Sequence, residues 1–405
     1  MALLPVEEAQ ARLLSTATPI ARVETLPLAL AKNRILAETL TAHLTQPPFD
    51  ASAMDGYALR AEDAASVGAE LKVIGVSAAG HGFDGTLNAG ECVRIFTGAP
   101  VPAGADCILL QEDAEKLDDG ARIRTAFSVS KGRHIRPMGQ DFRISDALLP
   151  AGARLDYTRL MLAAATNNAT VNVYKKPLVA VLATGDELVL PGTTPGPSQI
   201  IASNSFALHA LCDDLGADVL DLGLVADQHD AIKAAVRRAE LAGADVLVTT
   251  GGASVGDHDL VQSALTAAGM VLDFWKIAMR PGKPLMVGRL GGMHVLGLPG
   301  NPVSSMVCSL LFLEPLLCHL AHQPLPKRRV NVKINAPLPA NDQRQDYLRA
   351  RLESQQDGSF LATPFGKQDS SMMNVLANAD ALLIRPPFAP ELTPGEDCTA
   401  LLLRV

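Results

Sequence analysis

Apolar positions change their period several times along the chain, and each change marks a candidate boundary. Between residues 5 and 43, Val6, Ala9, Leu13 and Leu14 recur at helical spacing, and Leu28, Leu30, Ile35 and Leu36 follow later. This stretch predicts helices. The run from Gln46 through Pro47, Pro48 and Phe49 breaks the pattern. From 44 to 143 the apolar runs shorten and become β-rich, at 71–76, 91–98 and 105–111, and Asp118-Asp119-Gly120 reads as a hairpin turn. A helical run returns at 156–169, so the β-rich part reads as an insertion into a helical segment.

Residues 177–320 behave differently. Continuous apolar runs at 176–183, 217–225, 244–250 and 293–298 alternate with helical patterns near 203–215, 229–242, 258–268 and 302–314. Such alternation predicts a parallel sheet covered by helices on both faces. Gly216 stands where a helix terminates in a left-handed residue. After Gln323 the period returns to that of strands, with Asp357-Gly358 as a turn, and a small β-barrel or sandwich fits. The fold class is therefore multidomain α/β and β. Its parts are a helical linker (1–43 with 144–176), an inserted β-rich domain (44–143), a parallel α/β sandwich domain (177–322) and a C-terminal small β-barrel (323–405).

Composition narrows the function. Hydrophobic residues make up 48% of 405 positions and aromatics only 4%, so the core is aliphatic and large. A formal net charge of −8 argues against a general nucleic-acid binder. The six cysteines form no C-x-x-C pair, which suggests buried thiols in a reducing compartment. The N-terminus has no basic region followed by a long apolar run, and no uninterrupted apolar stretch is long enough to span a bilayer. A cytoplasmic protein without membrane contact is expected.

In open α/β sheets, ligands bind beyond the carboxyl ends of the strands. Four loops fall there: Thr184–Glu187, the turn containing Asp227, Thr249–Asp259 and Leu298–Ser304. The pair Gly251-Gly252 allows backbone N–H groups close to an anion. Asn301 is placed to cap the next helix with Pro302 at its first position, and a helix start of this kind attracts phosphate. Glycines and prolines also shape turns without any ligand, but two such loops on one edge, beside acids, favour a phosphorylated ligand. Asp186, Glu187, Asp227, Asp257 and Asp259 are oxygen donors of the kind Mg²⁺ takes. Helix capping accounts equally well for Asp257. Lys276, Arg280 and Lys283 lie within one short span of an acidic protein and suggest an anion pocket. His258 is the only histidine in these loops, and no Ser/His/Asp triad is apparent.

Six segments, in order, carry a resemblance. They are 52–58 (SAMDGYA), 97–100 (TGAP), 184–188 (TGDEL), the 251–259 loop, 281–284 (PGKP) and 298–303 (LPGNPV). Together they resemble the MoeA family of molybdopterin molybdenumtransferases, to which the gephyrin E domain and its plant counterpart are related. The resemblance implies a four-part subunit, a homodimer, and an α/β domain similar to the adenylyltransferase that makes the substrate. It implies that molybdate is inserted into adenylylated molybdopterin and that AMP leaves with the help of Mg²⁺. It also implies contact with the molybdopterin adenylyltransferase and with molybdoenzyme chaperones.

By motif, the resemblance makes Asp55, Thr97, Glu187, Asp227, Asp259, Lys276, Arg280, Pro299 and Pro302 functional positions. Asp55, Glu187, Asp227, Asp259, Lys276 and Arg280 are the catalytic candidates, and Glu187, Asp227 and Asp259 the metal candidates. Lys283, Ser304, Arg349 and Ser370 match positions for molybdate or a nearby anion, and Arg136 and Asp141 further positions in the inserted domain. Together with the strand-end reading, Thr97, Thr184, Gly251, Gly252, Ser254, Pro299, Asn301 and Pro302 join the ligand-binding set. Some positions depart from the family pattern: Arg280 stands where Lys is common, Gln140 where Glu is common, and Ala51 where Asn is frequent. A tungstate-inserting paralogue and a non-catalytic cofactor-binding scaffold remain alternatives.

Overall fold

A computed structural model describes residues 3–251 and 260–404, which divide into the units Met1–Glu24 with Tyr174–Val405, and Thr25–Val173.

The unit Thr25–Val173 is built on a six-stranded sheet. Its order is Cys107–Leu110, Gly56–Leu59, Glu91–Ile95, Glu70–Ser77, Arg122–Thr125, Ala114–Leu117. Neighbours are antiparallel except Glu70–Ser77 with Glu91–Ile95. Strand alternation sends Tyr57, Leu59, Cys107 and Leu109 into one core and Ala58 and Ile108 into another. Full burial of a side chain such as Leu59 or Leu109 contributes roughly 1.5–3 kcal/mol. Gly56 is required by close approach, since a Cβ there would collide with the Leu109 carbonyl oxygen. The predicted turn joins Ala114–Leu117 to Arg122–Thr125, with Asp118, Asp119 and Gly120 all at positive φ.

One helix expected from the sequence is absent. Residues 28–36 form a short 3₁₀ turn, Leu28–Leu30, followed by bridges from Ile35 to Arg154 and from Leu36 to Val173. Leu36, Leu155, Ala163, Val171 and Val173 then share a core. Long-range partners have used apolar residues whose spacing resembles a helix. The later helix, Tyr157–Ala165, is present and starts at Asp156, whose carboxylate accepts from the N–H groups of Thr158 and Arg159.

The larger unit contains a second six-stranded sheet, ordered Asp218–Val225, Leu178–Thr184, Val246–Thr250, Met293–Leu298, Met286–Leu290, Val271–Phe274. The first four strands are parallel, and the last two are antiparallel to their neighbours. The all-parallel expectation thus fails at one side, where Gly291 and Gly292 turn Met286–Leu290 back into Met293–Leu298. Both faces are covered. Val179 and Val181 pack with helix Asn204–Asp214 and the stretch Pro302–Leu320, while Ala180 and Leu182 pack with His229–Leu241 and Leu260–Ala267. The N-terminal helix Val6–Ser15 adds Val6, Ala9 and Leu13 to the first face.

The stretch Pro302–Leu320 is helical throughout, with a π turn at Ser309–Leu313. Its mean hydropathy of 1.7 and its length would suffice for a membrane span, but 83% of it is buried within the fold. Ser304, Ser305, Ser309 and Glu314 interrupt the apolar run, which is why the sequence alone did not mark it. Buried Glu314 pairs with Arg328 at 2.8 Å.

The C-terminal strands close into a five-membered barrel. Gln345–Ser354 pairs with Phe360–Pro364, then Arg329–Ile334, Asp397–Leu402 and Ala381–Arg385, which returns to Gln345–Ser354. Small residues, Ala350, Ala362, Ala381 and Ala400, fill its interior with Ile334 and Leu383. The short strand Met279–Arg280 runs parallel to Gln345–Asp346 on its outside.

Candidate active site

Parallel strands deliver their carboxyl ends to one edge. Leu178–Thr184, Val246–Thr250 and Met293–Leu298 lie side by side, so Thr184, Gly251 and Pro299 leave the sheet together. A cavity of about 800 Å³ opens there, and its walls include Thr184, Glu187, Gly251, Lys283, Asn301 and Ser304. Pro299 and Pro302 also line it. Gly251 has φ +87°, and any Cβ would strike the Thr184 carbonyl oxygen, so two loops meet more closely than a side chain permits. Thr184 is 1% exposed and its hydroxyl has no hydrogen-bond partner among the described residues.

Asn301 occupies the cap position ahead of Pro302, but its side chain does not cap the helix. Its Nδ2 donates instead to Ser370 Oγ at 3.0 Å, while the Val303 N–H donates to the Ser370 carbonyl at 3.1 Å. One N–H of the helix start is therefore already satisfied. Asn204 donates to the Gly300 carbonyl at 2.8 Å and holds the turn from the opposite wall. Sequence reasoning missed Asn204, although an Asn after Ser203 at a predicted helix start was a usable signal.

Arg349 lies behind the Ser370 turn. Strand alternation sends Leu348 and Ala350 toward the barrel core, whereas Tyr347 packs into the α/β core, placing Arg349 on that outer face. Its guanidinium is fully buried and Nη2 donates to the Asp369 carbonyl at 2.9 Å. Nε and Nη1 have no partner among the described residues. Burial lowers its affinity for the proton, opposed by the nearby Asp369 charge. Gln368 pins residue 349 from both sides: its Oε1 accepts from the Arg349 N–H at 2.9 Å and its Nε2 donates to the Arg349 carbonyl at 3.0 Å. No sequence signal pointed to Gln368.

Carboxylates gather beside the cavity. The Asp227 N–H donates to Asp186 Oδ1 at 3.1 Å. The Asp227 carboxyl is raised above the ordinary value by desolvation, and next by the charges of Asp186 and Glu187. Among the described residues no group of three His, Cys, Asp or Glu forms a preassembled metal site. Gly252, Ser254, Asp257, His258 and Asp259 lie outside the described residues.

The expected trio of cations does not assemble. Only Lys283 lines the cavity. The Lys276 ammonium sits 4.2 Å from the Trp275 ring centre. Arg280 is engaged by Asp346, by Asp342 at 3.3 Å and by Asn341 at 3.4 Å, because its strand runs against the barrel rather than toward the cavity.

Asp55 and Thr97 belong to the other unit. The Asp55 carboxylate accepts from Thr97 N–H at 2.7 Å and from Thr97 Oγ1 at 2.8 Å, and these bonds hold it below the ordinary carboxylate range while it stays in solvent. In the same unit Arg136, Gln140 and Asp141 line a cavity of about 490 Å³ with Gln46, Phe49 and Ala51.

Comparison with known proteins covers nearly the whole chain. Residues 4–166 match the model of the MoeA N-terminal region (domains I and II), 180–319 a probable molybdopterin binding domain, and 331–403 the MoeA C-terminal region (domain IV). The molybdopterin molybdenumtransferase of Haemophilus influenzae is 33% identical over 399 residues, covering 98% of each chain. That of a Nostoc species is 34% identical over 393 residues, covering 94% of this chain and 89% of its own. The crystal structure of the molybdopterin biosynthesis MoeA protein of Pyrococcus horikoshii superposes with a TM-score of 0.85 at 30% identity, over 100% of both chains. With strand-end loops, barrel and cavity arranged as described, the chain belongs to the MoeA family of molybdopterin molybdenumtransferases.

Proposed function

We propose that this chain inserts molybdate into adenylylated molybdopterin, releasing AMP and completing the molybdenum cofactor. The observation that carries this reading is the pair Lys283 and Arg349. Lys283 lines a cavity large enough for a nucleotide-sized ligand. Arg349 is buried against the Asp369–Ser370 turn that Asn301 of the cavity wall also bonds, with two guanidinium nitrogens lacking partners among the described residues. A buried, half-satisfied guanidinium calls for an oxyanion, and with Ser304 and Ser370 it suits a tetrahedral one.

Phosphate belongs at Gly251 and the Asn301–Pro302 helix start, where backbone approaches the cavity without side-chain obstruction. Glu187 and Asp227, with Asp259, would hold Mg²⁺, because all are oxygen donors and Asp227 is desolvated and also meets the charges of Asp186 and Glu187. Bound Mg²⁺ supplies neutralisation of the phosphoanhydride charge. The protein residues supply position: Asn204 fixes the Gly300 turn, and Gln368 fixes Arg349. Thr97 keeps Asp55 ionised, and we place this carboxylate at the site of a second copy in a homodimer. Arg280, paired to Asp342 and Asp346, ties its strand to Gln345–Ser354 rather than holding the anion.

The test is incubation of purified protein with adenylylated molybdopterin, Mg²⁺ and molybdate, with tungstate in a parallel arm. AMP release and cofactor formation are followed together. AMP release that requires molybdate is the expected result. Folded protein that binds the substrate and never releases AMP would make the chain a scaffold.

A further inference from the structure

At the opposite edge of the α/β sheet lies a second cavity of about 510 Å³. Its walls include Leu13, Val271, Leu272, Val287, Arg289 and His294. His294 is the second residue of Met293–Leu298, the strand whose far end delivers Pro299 to the candidate active site. Six residues of extended chain span about 20 Å, so the two cavities are separate.

Two features distinguish it from a packing gap. Arg289 donates to the Thr16 carbonyl at 2.6 Å and to the Gly292 carbonyl at 3.0 Å, and among the described residues no carboxylate pairs with it. Its Nη1 also lies 3.0 Å from His294 Nε2. An arginine can only donate, so Nε2 accepts and the ring proton sits on Nδ1. That nitrogen is buried without a partner, in a residue only 3% exposed. Burial, and then the Arg289 charge, hold the imidazole down to about 4, which keeps it neutral. The site thus presents an arginine charge with no carboxylate partner among the described residues, beside aliphatic walls and backed by a buried, neutral imidazole. Asp273 also lines the cavity, and its carboxylate is neutralised by Arg12.

We propose that this cavity binds a small amphipathic carboxylate, with the anion at Arg289 and the apolar tail against Leu13, Leu272 and Val287. Charge complementarity selects the headgroup, and the lining selects the tail.

Titration calorimetry on the full chain with hexanoate tests this, with 1-hexanol and sulfate as probes lacking the charge or the tail. Hexanoate should saturate at one site per chain, with both controls at least about ten-fold weaker. Arg289→Gln should weaken hexanoate by about ten-fold or more. Should that variant fold poorly, Val271→Glu gives an independent test, since residue 271 is 72% exposed and a carboxylate there repels the ligand. Lys283→Ala should leave hexanoate binding unchanged. Absence of saturable binding, binding indifferent to Arg289→Gln and Val271→Glu, or binding lost in Lys283→Ala would each overturn the assignment.

Discussion

The main-chain N–H of Asp227 donates to the carboxylate of Asp186, so two acids from different strand-end loops are held against one another. Desolvation by burial, and next the Asp186 charge, raise the Asp227 carboxyl. The folded state therefore binds that proton more tightly than the unfolded chain. Its stabilising contribution is complete below the ordinary value of 3.8 and is lost as pH rises through the folded value. Asp227→Asn should thus fold at least as stably as the parent at pH 7, with a flatter pH dependence from 3.8 upward, while losing most transferase activity at limiting Mg²⁺. Asp259→Asn should share the activity loss. Thermal melts across pH, with AMP release, check both; near-normal turnover in both variants would remove the metal role.

Lys283→Ala should raise the molybdate concentration needed for half-maximal rate by about ten-fold. Arg349→Met should do the same, and in addition should not lower the melting temperature. Replacing a buried charge with an apolar group of similar volume is often neutral or stabilising. A large loss of stability with unchanged molybdate dependence would make Arg349 an architectural residue.

Gly251→Ala tests the close approach at Thr184. The positive φ and the collision with a carbonyl oxygen together should cost about 1–3 kcal/mol in urea denaturation. Activity should fall further than stability alone accounts for. A variant with parental stability would mean the two loops can separate.

Asp55 and Asp227 can be tested as a pair across two chains. Each Asn variant alone should be inactive. Exchange of equal amounts makes half the dimers mixed, and trans assembly leaves one intact site in each, so about a quarter of all sites should recover. No recovery, with exchange verified by mass, rejects a shared site.

All six cysteines are buried and free. Burial pushes Cys92, Cys107 and Cys212 up to about 12 and Cys318 to about 11. The native protein should therefore react with an aromatic disulfide reagent at pH 8 far more slowly than free cysteine, and release all six thiols only on unfolding. A rapidly reacting thiol would contradict the burial.

What the sequence made legible follows from the range of the forces involved. The run 244–250 announced a buried strand, and the Gly-rich segment after it announced a strand-end loop, because both signals are local. Residues 28–36 misled because Ile35 and Leu36 are held by Arg154 and Val173, more than a hundred positions away. The partners of Arg280 were hidden for the same reason: its acids, Asp342 and Asp346, lie beyond any local window. Asn301 was placed correctly at a helix start, but its side chain found Ser370 rather than its own helix. Gln368 carried no motif at all, since a residue that bonds only to main chain leaves no chemical signature.

The ladder joining Arg280 to Asp346 has a consequence for chain length. Lys283 lies three positions beyond one partner and Arg349 three beyond the other, so the pairing acts as a common origin from which both cations are measured. Because a strand alternates faces, deleting one residue between 346 and 349 would reverse the phase of everything after it. The guanidinium would turn into the alanine-lined barrel, and an aliphatic side chain would take its place at the proposed oxyanion site. This stretch should therefore tolerate a change of side chain at Leu348 far better than a change in the number of residues.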